Sequence, residues 1–431
     1  MRTLCTHPSR DLVAADVLST LQLRNGNDPL LPRLKTFKSE GATEAFIPFI
    51  PLLLSHPTTY INIKFAPNSP VVTTASTIAR LPQLCPNLRK LSLSGLPRSA
   101  VTIGAVSELL LACNWGNLED FSVDSPLTEE AHRVLFKLPN LQTLQTVIPG
   151  LTLVPSMKLP SLTKIELYYE DGRNCLQEFH GASLGKLLSI RFHVRPKTAP
   201  IRNFLGKFEG VALASSIQNT LLSFHLRTSE SWNPNYSSLL AFKQLRRLRI
   251  EFSCRSGCSS RVDDGVVVSL AQAMPGLEIL QLGQSPCKAR TGITLKGLVA
   301  LAFYCPKLLD LCVHLRVWEF TEAITDPELS GPSGHSAAIP KTDCALTSLF
   351  VGEALIREED VFPVALTFVQ VFPRITSIEY INRQWKKVEE TIDFIKQIGI
   401  CVHHMSTCNS TTLPTTFTHS LPANTLRTST Q

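Results

Sequence analysis

The sequence has few charged residues and no long apolar run, and both shortages restrict what the protein can be. Only 18% of its 431 residues are charged, and the formal net charge of +7 is too mild to favour nucleic acid as a partner. The longest apolar run, Phe46 to Leu54, contains two prolines and falls far short of the roughly 20 residues that a membrane-spanning helix needs. We therefore expect neither a nucleic-acid-binding nor a membrane protein.

The N-terminal residues lack the apolar segment of a secretory signal peptide, so we expect a protein of the cytoplasm, the nucleus or both. In these reducing compartments cysteines remain thiols. The twelve cysteines are scattered, and Cys85, Cys113, Cys305 and Cys312 stand inside apolar phrases. We predict that these four are buried as small hydrophobic residues rather than joined in disulfides.

Motifs of nucleotide and metal sites are weak or missing. The sequence has no glycine-rich phosphate loop of the G-x-x-x-x-G-K-[ST] kind. Cys254 and Cys258 have no second pair nearby, and the group Cys401-x-His403-His404-x3-Cys408 stands in a segment with no sign of a rigid turn, which a structural zinc site needs. We predict no cofactor and no metal.

One match to a catalytic motif is present. Residues 181–185 fit G-x-S-x-G, with Ser183 in the position of a hydrolase nucleophile. That motif needs a helix directly after the serine, whereas Lys186–Val194 predicts a strand. We expect no enzyme, and a serine hydrolase using Ser183 is the alternative from another functional class.

What the chain does have is a recurring phrase, L-x-x-L-x-L with a proline or asparagine just before it, which we call the leucine phrase. About thirteen copies, separated by roughly 21 to 38 residues, are typical of a divergent repeat protein. Clear copies begin at Leu88, Leu118, Leu141, Leu162, Leu245, Leu277, Leu308, Leu346 and Ile375, and weaker ones at Leu34, near Thr59 to Ile63, at Leu187 and at Leu221.

The leucine phrase predicts a short strand with one buried face, because its apolar and polar residues alternate. The upstream proline ends a preceding helix. Segments between the phrases have helical periodicity, and Thr128 and Asp264 are candidate N-caps. The predicted helices are Thr43–Leu54, Val71–Leu84, Ile103–Cys113, Thr128–Leu138, Ile201–Ile217, Val266–Met274, Leu295–Tyr304, Val361–Val371 and Trp385–Ile398.

Alternating strands and helices with short connections predict an α/β fold. We expect a curved right-handed leucine-rich-repeat solenoid over residues 31–400, with short parallel strands on the concave face and helices on the convex face. A cap over 1–30, a mobile loop at about 321–342 and a disordered tail over 401–431 complete the prediction. A doubly wound α/β domain is the alternative fold.

The third, fifth and seventh positions of each leucine phrase are expected to point away from the helices. In three adjacent phrases these positions carry Arg191, His193, His225, Arg227, Arg247 and Arg249, which we call the basic cluster. Glu251 is the one acid at these positions of the three phrases, and the preceding phrase carries Lys164, Glu166 and Tyr168. The basic cluster predicts a groove for an acidic or phosphorylated protein. The alternative is that exposed strand positions are simply polar.

Five segments carry a resemblance to a known family: MPGLEILQLGQSPC, TGITLKGLVALAFYCPKLLDL, CALTSLFVGE and ALTFVQVFPRI within residues 262–396, where it is strongest, and CPNLRKLSLSGL at 85–96. They resemble the F-box/leucine-rich-repeat proteins of mushroom-forming fungi, and the segment at 85–96 is similar to an early repeat of that family. The resemblance implies an intracellular substrate receptor of an SCF-type cullin–RING ubiquitin ligase. In such proteins an F-box binds a Skp-type adaptor and the repeats hold the substrate.

The F-box itself is not recognisable in this chain. Residues 1–30 show only a short apolar periodicity at Leu12, Val13 and Val17, in place of a helical domain that opens with a Leu-Pro-x-Glu-like sequence. The F-box was lost, or persists as a degenerate remnant, or lies upstream of the start of the gene model. We therefore expect adaptor binding only if an F-box precedes these residues, and a stand-alone repeat scaffold is the alternative.

Overall fold

Among the residues that the structure describes, fourteen strands form a single sheet in which neighbouring strands are parallel and follow one another in chain order. A doubly wound sheet reverses its strand order at a switch point, so this order excludes that alternative. The arrangement is consistent with a curved α/β solenoid. The computed structural model describes residues 2–7, 11–26, 28–113, 115–149, 157–170, 176, 179, 182, 184–194, 204–228, 234–252, 262–283, 292–315, 342–352 and 354–408.

The strands are short, as the leucine phrase predicts. They are β1 Thr3–Thr6, β2 Thr36–Ala42, β3 Tyr60–Phe65, β4 Lys90–Ser94, β5 Asp120–Pro126, β6 Thr143–Ile148, β7 Lys164–Tyr169, β8 Ser189–Val194, β9 Ser223–Thr228, β10 Arg247–Phe252, β11 Ile279–Leu282, β12 Asp310–Cys312, β13 Ser348–Gly352 and β14 Ser377–Tyr380.

Most of the helices stand between consecutive strands. In the described part of the chain the α-helices are α1 Asp11–Asn25, α2 Ile50–Leu53, α3 Val71–Leu84, α4 Ala100–Ala112, α5 Glu129–Leu135, α6 Phe204–Ser215, α7 Asp264–Ala273, α8 Leu295–Tyr304, α9 Val361–Val371 and α10 Gln384–Cys408. Short 3-10 helices span Ile47–Phe49, Ile217–Asn219, Tyr236–Leu239 and Glu358–Asp360.

Each predicted leucine phrase coincides with one strand from β2 to β14. The phrase from Leu88 gives β4, with Leu88 buried in the turn before the strand and Leu91 and Leu93 buried within it. Strand β1 was not predicted, because no leucine phrase precedes Thr3–Thr6; it pairs with β2 and belongs to the same sheet. The predicted alternation of strands and helices is confirmed.

Buried residues face buried residues across the sheet. Leu91 of β4 pairs with Phe121 of β5, and Leu248 of β10 pairs with Leu280 of β11. All four are almost wholly inaccessible to solvent. A shift of one residue in any pairing would turn a strand's apolar residues to the other face, so apolar burial determines the register.

Three helices match their predicted spans residue for residue: α3, α8 and α9. Helix α3 buries Ile78 and Leu81, one turn apart, in the hydrophobic core. Its C-cap is Cys85, and Pro86 follows directly; α8 and α9 end in the same way before Pro306 and Pro373. A proline at this place cannot continue the helix and disfavours helical backbone before it.

Buried cysteines connect the turns between units. The Cys85 thiol donates to the carbonyl of Ser55 at 3.7 Å, and the Cys305 thiol donates to the carbonyl of Met274 at 3.5 Å. Cys344 makes a similar contact, 3.8 Å long, with the Cys305 carbonyl. Burial raises the pKa of Cys85 and of Cys305 to about 12, so both remain protonated donors. The predicted burial is confirmed for Cys85 and Cys305, whereas Cys113 and Cys312 are only half-buried; all four are free thiols, as predicted.

Helix caps agree with the sequence at one place and differ at another. Thr128 is the N-cap of α5, and its side chain accepts from the Ala131 N–H. For α7 the cap is Asp263, which accepts from the Val266 N–H at 2.9 Å, and the prediction of Asp264 was wrong by one residue. Asp264 instead reaches the next unit, where its carboxylate accepts from the N–H and hydroxyl of Thr294 at the start of α8.

The C-terminal edge of the sheet is closed by the last helix. Helix α10 packs on β14, where Glu389 accepts from the Ile378 N–H at 3.1 Å and the Lys396 ammonium donates to the Ile375 carbonyl. These side chains satisfy backbone groups that an edge strand would otherwise expose. The helix runs to Cys408 and so includes the first eight residues of the predicted tail. Residues 321–341 of the predicted loop and residues 409–431 of the predicted tail lie outside the described residues.

We predict that replacing Gly95 by alanine destabilises the protein by at least about 2 kcal/mol, because the backbone there has a positive φ that alanine disfavours. Gly95 has φ +71°, and a Cβ would lie 2.2 Å from the Phe65 carbonyl oxygen. The control is Gly104→Ala within α4, where a Cβ meets nothing within 4 Å. It should stabilise the helix by about 0.5–1 kcal/mol. The free energy of unfolding of both variants, measured in urea, checks this prediction. An equal change in that free energy for Gly95→Ala and Gly104→Ala would contradict it.

Candidate partner-binding face

The basic cluster lies on the side of the sheet that the helices do not cover, which we call the open face. Side chains on this face alternate with core residues along each strand, so Leu248 is buried while Arg247 is exposed and Arg249 is half-buried. The structure brings together all six predicted residues. Arg191 and His193 stand on β8, His225 and Arg227 on β9, and Arg247 and Arg249 on β10.

Strand register arranges the basic cluster in rows. Arg191, His225 and Arg249 are consecutive partners across β8, β9 and β10. His193 and Arg227 form the next row, which ends at Glu251. Paired strands lie about 4.8 Å apart, so each of these side chains has its neighbours within contact distance.

Glu251 is the one acid at these positions within the three phrases, but the structure adds a second acidic neighbour of the basic cluster from the preceding phrase. Glu166 of β7 lies in register with Arg191 of β8 and is 93% buried, although it points to the open face. Arg191 Nη1 is 3.3 Å from one of its carboxylate oxygens, and His193 Nε2 is 3.1 Å from the other. Two carboxylates therefore flank the basic cluster, one on each side.

Glu166 is held ionised by its neighbours. Burial alone would raise its pKa, but the hydrogen bonds from His193 and from the Tyr168 hydroxyl, 2.6 Å away, outweigh burial. The charge of Arg191 acts in the same direction, and the pKa falls to about 2. The Tyr168 ring stacks on the His193 ring with centroids 4.3 Å apart, so these two partners of Glu166 also pack against each other.

Glu251 has a matching environment on β10. His225 Nε2 lies 2.9 Å from one carboxylate oxygen, and Arg227 Nε lies 3.6 Å from the other. The close approach of His225 lowers the pKa of Glu251, burial opposes that effect, and the charges of Arg227 and Arg249 add to the lowering. Four members of the basic cluster thus have a carboxylate partner on the open face.

Arg247 and Arg249 differ from these four. Among the described residues neither guanidinium has an acidic oxygen within 4.0 Å. The Nε of Arg249 is buried and has no hydrogen-bond partner. The preceding Arg246, by contrast, lies 3.4 Å from Glu278. Within the basic cluster, the two arginines without an ion pair are therefore both on β10.

Other candidate sites fall partly outside the described residues. Ser183, Gly181, Cys254 and Cys258 are among the residues not described. The element that follows Ser183 is strand β8, where a nucleophile elbow would need a helix. Within the described ranges no group of three or more metal-capable side chains comes together. No helix in the described part of the chain is long and apolar enough to cross a membrane.

We predict that Glu166→Gln destabilises the fold at pH 7 by up to about 3 kcal/mol, the energy equivalent of its lowered pKa. Because the folded pKa of about 2 lies below the ordinary 4.5, the ionised form stabilises the fold above about pH 4.5. That contribution is lost as the pH falls through 4.5 towards 2.

Urea midpoints measured from pH 7 down to pH 3 should therefore show a gap between wild type and Glu166→Gln that narrows with acidity. Glu278→Gln is the matched control, because it removes a carboxylate from an exposed ion pair with Arg246 and should cost less than about 1 kcal/mol. A gap for Glu166→Gln that stays constant across the pH range would contradict the assignment.

Comparison with known proteins adds no relative: no family model and no curated protein matches this sequence.

Proposed function

We propose that this protein is a non-catalytic interaction module of the leucine-rich-repeat type, a right-handed solenoid that binds a partner protein on the open face of its sheet. The observation that carries the proposal is the difference between the two faces. One face is packed with apolar residues against helices, and the other carries half-exposed polar side chains held in register over many strands. Such a surface offers many side-chain positions on a rigid support, which suits recognition of another protein.

The basic cluster is the part of the open face best suited to the contact. It combines arginines with a stacked Tyr168–His193 pair and two buried carboxylates. Arginine and tyrosine are enriched at the centres of protein interfaces, where they supply contact area and directed hydrogen bonds. Side chains already held by ion pairs lose little further conformational entropy on binding.

We further propose that the module acts in the cytoplasm or nucleus as the substrate-recognition part of an SCF-type cullin–RING ubiquitin ligase. Support for this step is the resemblance of its leucine phrases to F-box/leucine-rich-repeat proteins of mushroom-forming fungi. A stand-alone scaffold would use the same open face, so the geometry supports both roles equally. The Skp-type adaptor would bind through an F-box and not through this face.

Site-specific photo-crosslinking tests the binding face. A benzophenone side chain placed at Ser223 or Gln281, on the open face beside the basic cluster, should crosslink the same protein in an extract of the source cells. The control is Val101 of α4, which is 57% exposed on the helix side and should not crosslink that protein. Equal crosslinking from both sides, or none from the open face, would rule out the proposal.

Affinity purification separates the ligase role from the scaffold role. The full-length product of the verified transcript, carrying a C-terminal tag, should retain a Skp-type adaptor if the module belongs to a ligase. An adaptor missing from preparations that still contain the crosslinked partner would leave the interaction module standing and exclude the ligase role.

A further inference from the structure

Two arginines on β10 stand apart from the rest of the basic cluster because neither forms an ion pair with a carboxylate in the described part of the chain. Arg191 lies 3.3 Å from Glu166, and Arg227 lies 3.6 Å from Glu251. Arg247 and Arg249 have no such contact in the described part of the chain. They stand two residues apart on one strand, so their Cα atoms are about 6.6 Å apart and both side chains point to the open face.

The positions beside these arginines carry no acid. Arg247 pairs with Ser223 on one side and Ile279 on the other. Arg249 pairs with His225 and Gln281. The Ser223 hydroxyl and the Gln281 amide can each donate a hydrogen bond to an anion, whereas His225 Nε2 already faces Glu251.

More distant acids border this region without neutralising it. Glu251 follows on the same strand but is already engaged by His225 and Arg227. Asp310 of β12 lies two strands away from Arg247 in the same row, about 9.6 Å across the sheet. At that separation the attraction is weak in water.

Unmet hydrogen-bonding capacity adds to the uncompensated charge. Arg249 Nε and His225 Nδ1 are both buried, and neither has a hydrogen-bond partner. The two residues are direct partners across β9 and β10. Arg249 Nε–H is a buried donor without an acceptor, which costs about 1–3 kcal/mol, so a phosphate oxygen that accepted from it would be bound favourably.

We propose that Arg247 and Arg249 form the anion site of the open face and bind the phosphoryl group of a phosphorylated side chain in the partner protein. This inference rests on the proposed function. A phosphorylated residue carries a charge of about −1.5 to −2 and three acceptor oxygens, which matches two free guanidinium groups. The planar fork of arginine also fits phosphate oxygens pairwise. An aspartate or glutamate carries one negative charge and would neutralise one arginine.

Nucleic acid fits the same surface less well. A polynucleotide carries phosphates at short, regular intervals, so it needs a continuous basic track. Here Glu166 of β7, Glu251 of β10 itself and Asp310 of β12 interrupt any such track around the arginine pair. A single phosphoryl group held by Arg247 and Arg249 needs no continuous track.

The test uses three fluorescent peptide libraries, each with random residues around one fixed position: phosphoserine, serine or glutamate. We expect the full-length protein to bind the phosphoserine library at least about tenfold more tightly than either of the others in fluorescence polarisation. Arg247→Ala and Arg249→Ala should each weaken phosphoserine binding about tenfold. The matched control Arg246→Ala removes a neighbouring arginine that is already paired with Glu278, and it should change binding less than about threefold.

Lysine variants at the same two positions guard against loss of folding. Arg247→Lys and Arg249→Lys keep the charge but not the fork, so they should restore part of the lost affinity. Glutamate binding equal to phosphoserine binding would overturn the proposal in favour of an acidic peptide. Tighter binding of a 20-nucleotide RNA that also depends on both arginines would overturn it in favour of nucleic acid.

Phosphatase treatment of the crosslinked partner separates this inference from the proposed function. The treated partner should no longer be retained by the wild-type protein, whereas untreated partner should be. Undiminished retention after treatment would overturn the phosphate site and leave the open face as the binding surface. If no partner crosslinks from the open face at all, the proposed function fails first.

Discussion

In-register parallel pairing of short strands is the constraint on which the rest of this structure depends. Because Leu91 faces Phe121 and Leu248 faces Leu280, each strand turns the same alternate residues into the core. No single strand and helix could bury that surface alone, so each unit is stable only against its neighbours. The same pairing lines up the remaining side chains on the open face. The chemistry of that face is therefore a consequence of how the core is packed.

Connections between units reinforce this arrangement with polar contacts that leave the open face free. Asp264 joins α7 to the start of α8, and the Cys305 thiol reaches back to the turn at Met274. Each interaction joins a unit to the unit beside it and to no other. Variable spacing between leucine phrases is tolerated for this reason, because extra residues can be accommodated as a loop between one helix and the next strand.

The fold could be predicted from the sequence in greater detail than the site. Alternation of apolar residues and the prolines after the helices mark elements directly, so α3 and α8 were predicted to the residue. Strand β1 was not predicted because no leucine phrase marks it. It belongs to the sheet through its pairing with β2, in which Thr3 lies opposite Thr36. The phrase positions placed Glu166 and Arg191 on the same face. They could not show that the carboxylate is buried and paired, because this depends on side-chain conformations across two strands.

The ion pairs of the basic cluster with Glu166 and Glu251 change which partners the open face can select. Glu166 and Glu251 are buried and ionised. An anion that approaches Arg191 or Arg227 therefore meets an arginine that already forms an ion pair with a carboxylate. A partner with acidic residues spread evenly over the open face would be repelled near Glu166 and Glu251 and attracted near Arg247 and Arg249. A partner that concentrates its charge above Arg247 and Arg249 meets two arginines that have no ion pair, while Glu251 on the same strand is already engaged by His225 and Arg227. Specificity for the position of a charge can thus arise from where the protein has already neutralised its own arginines.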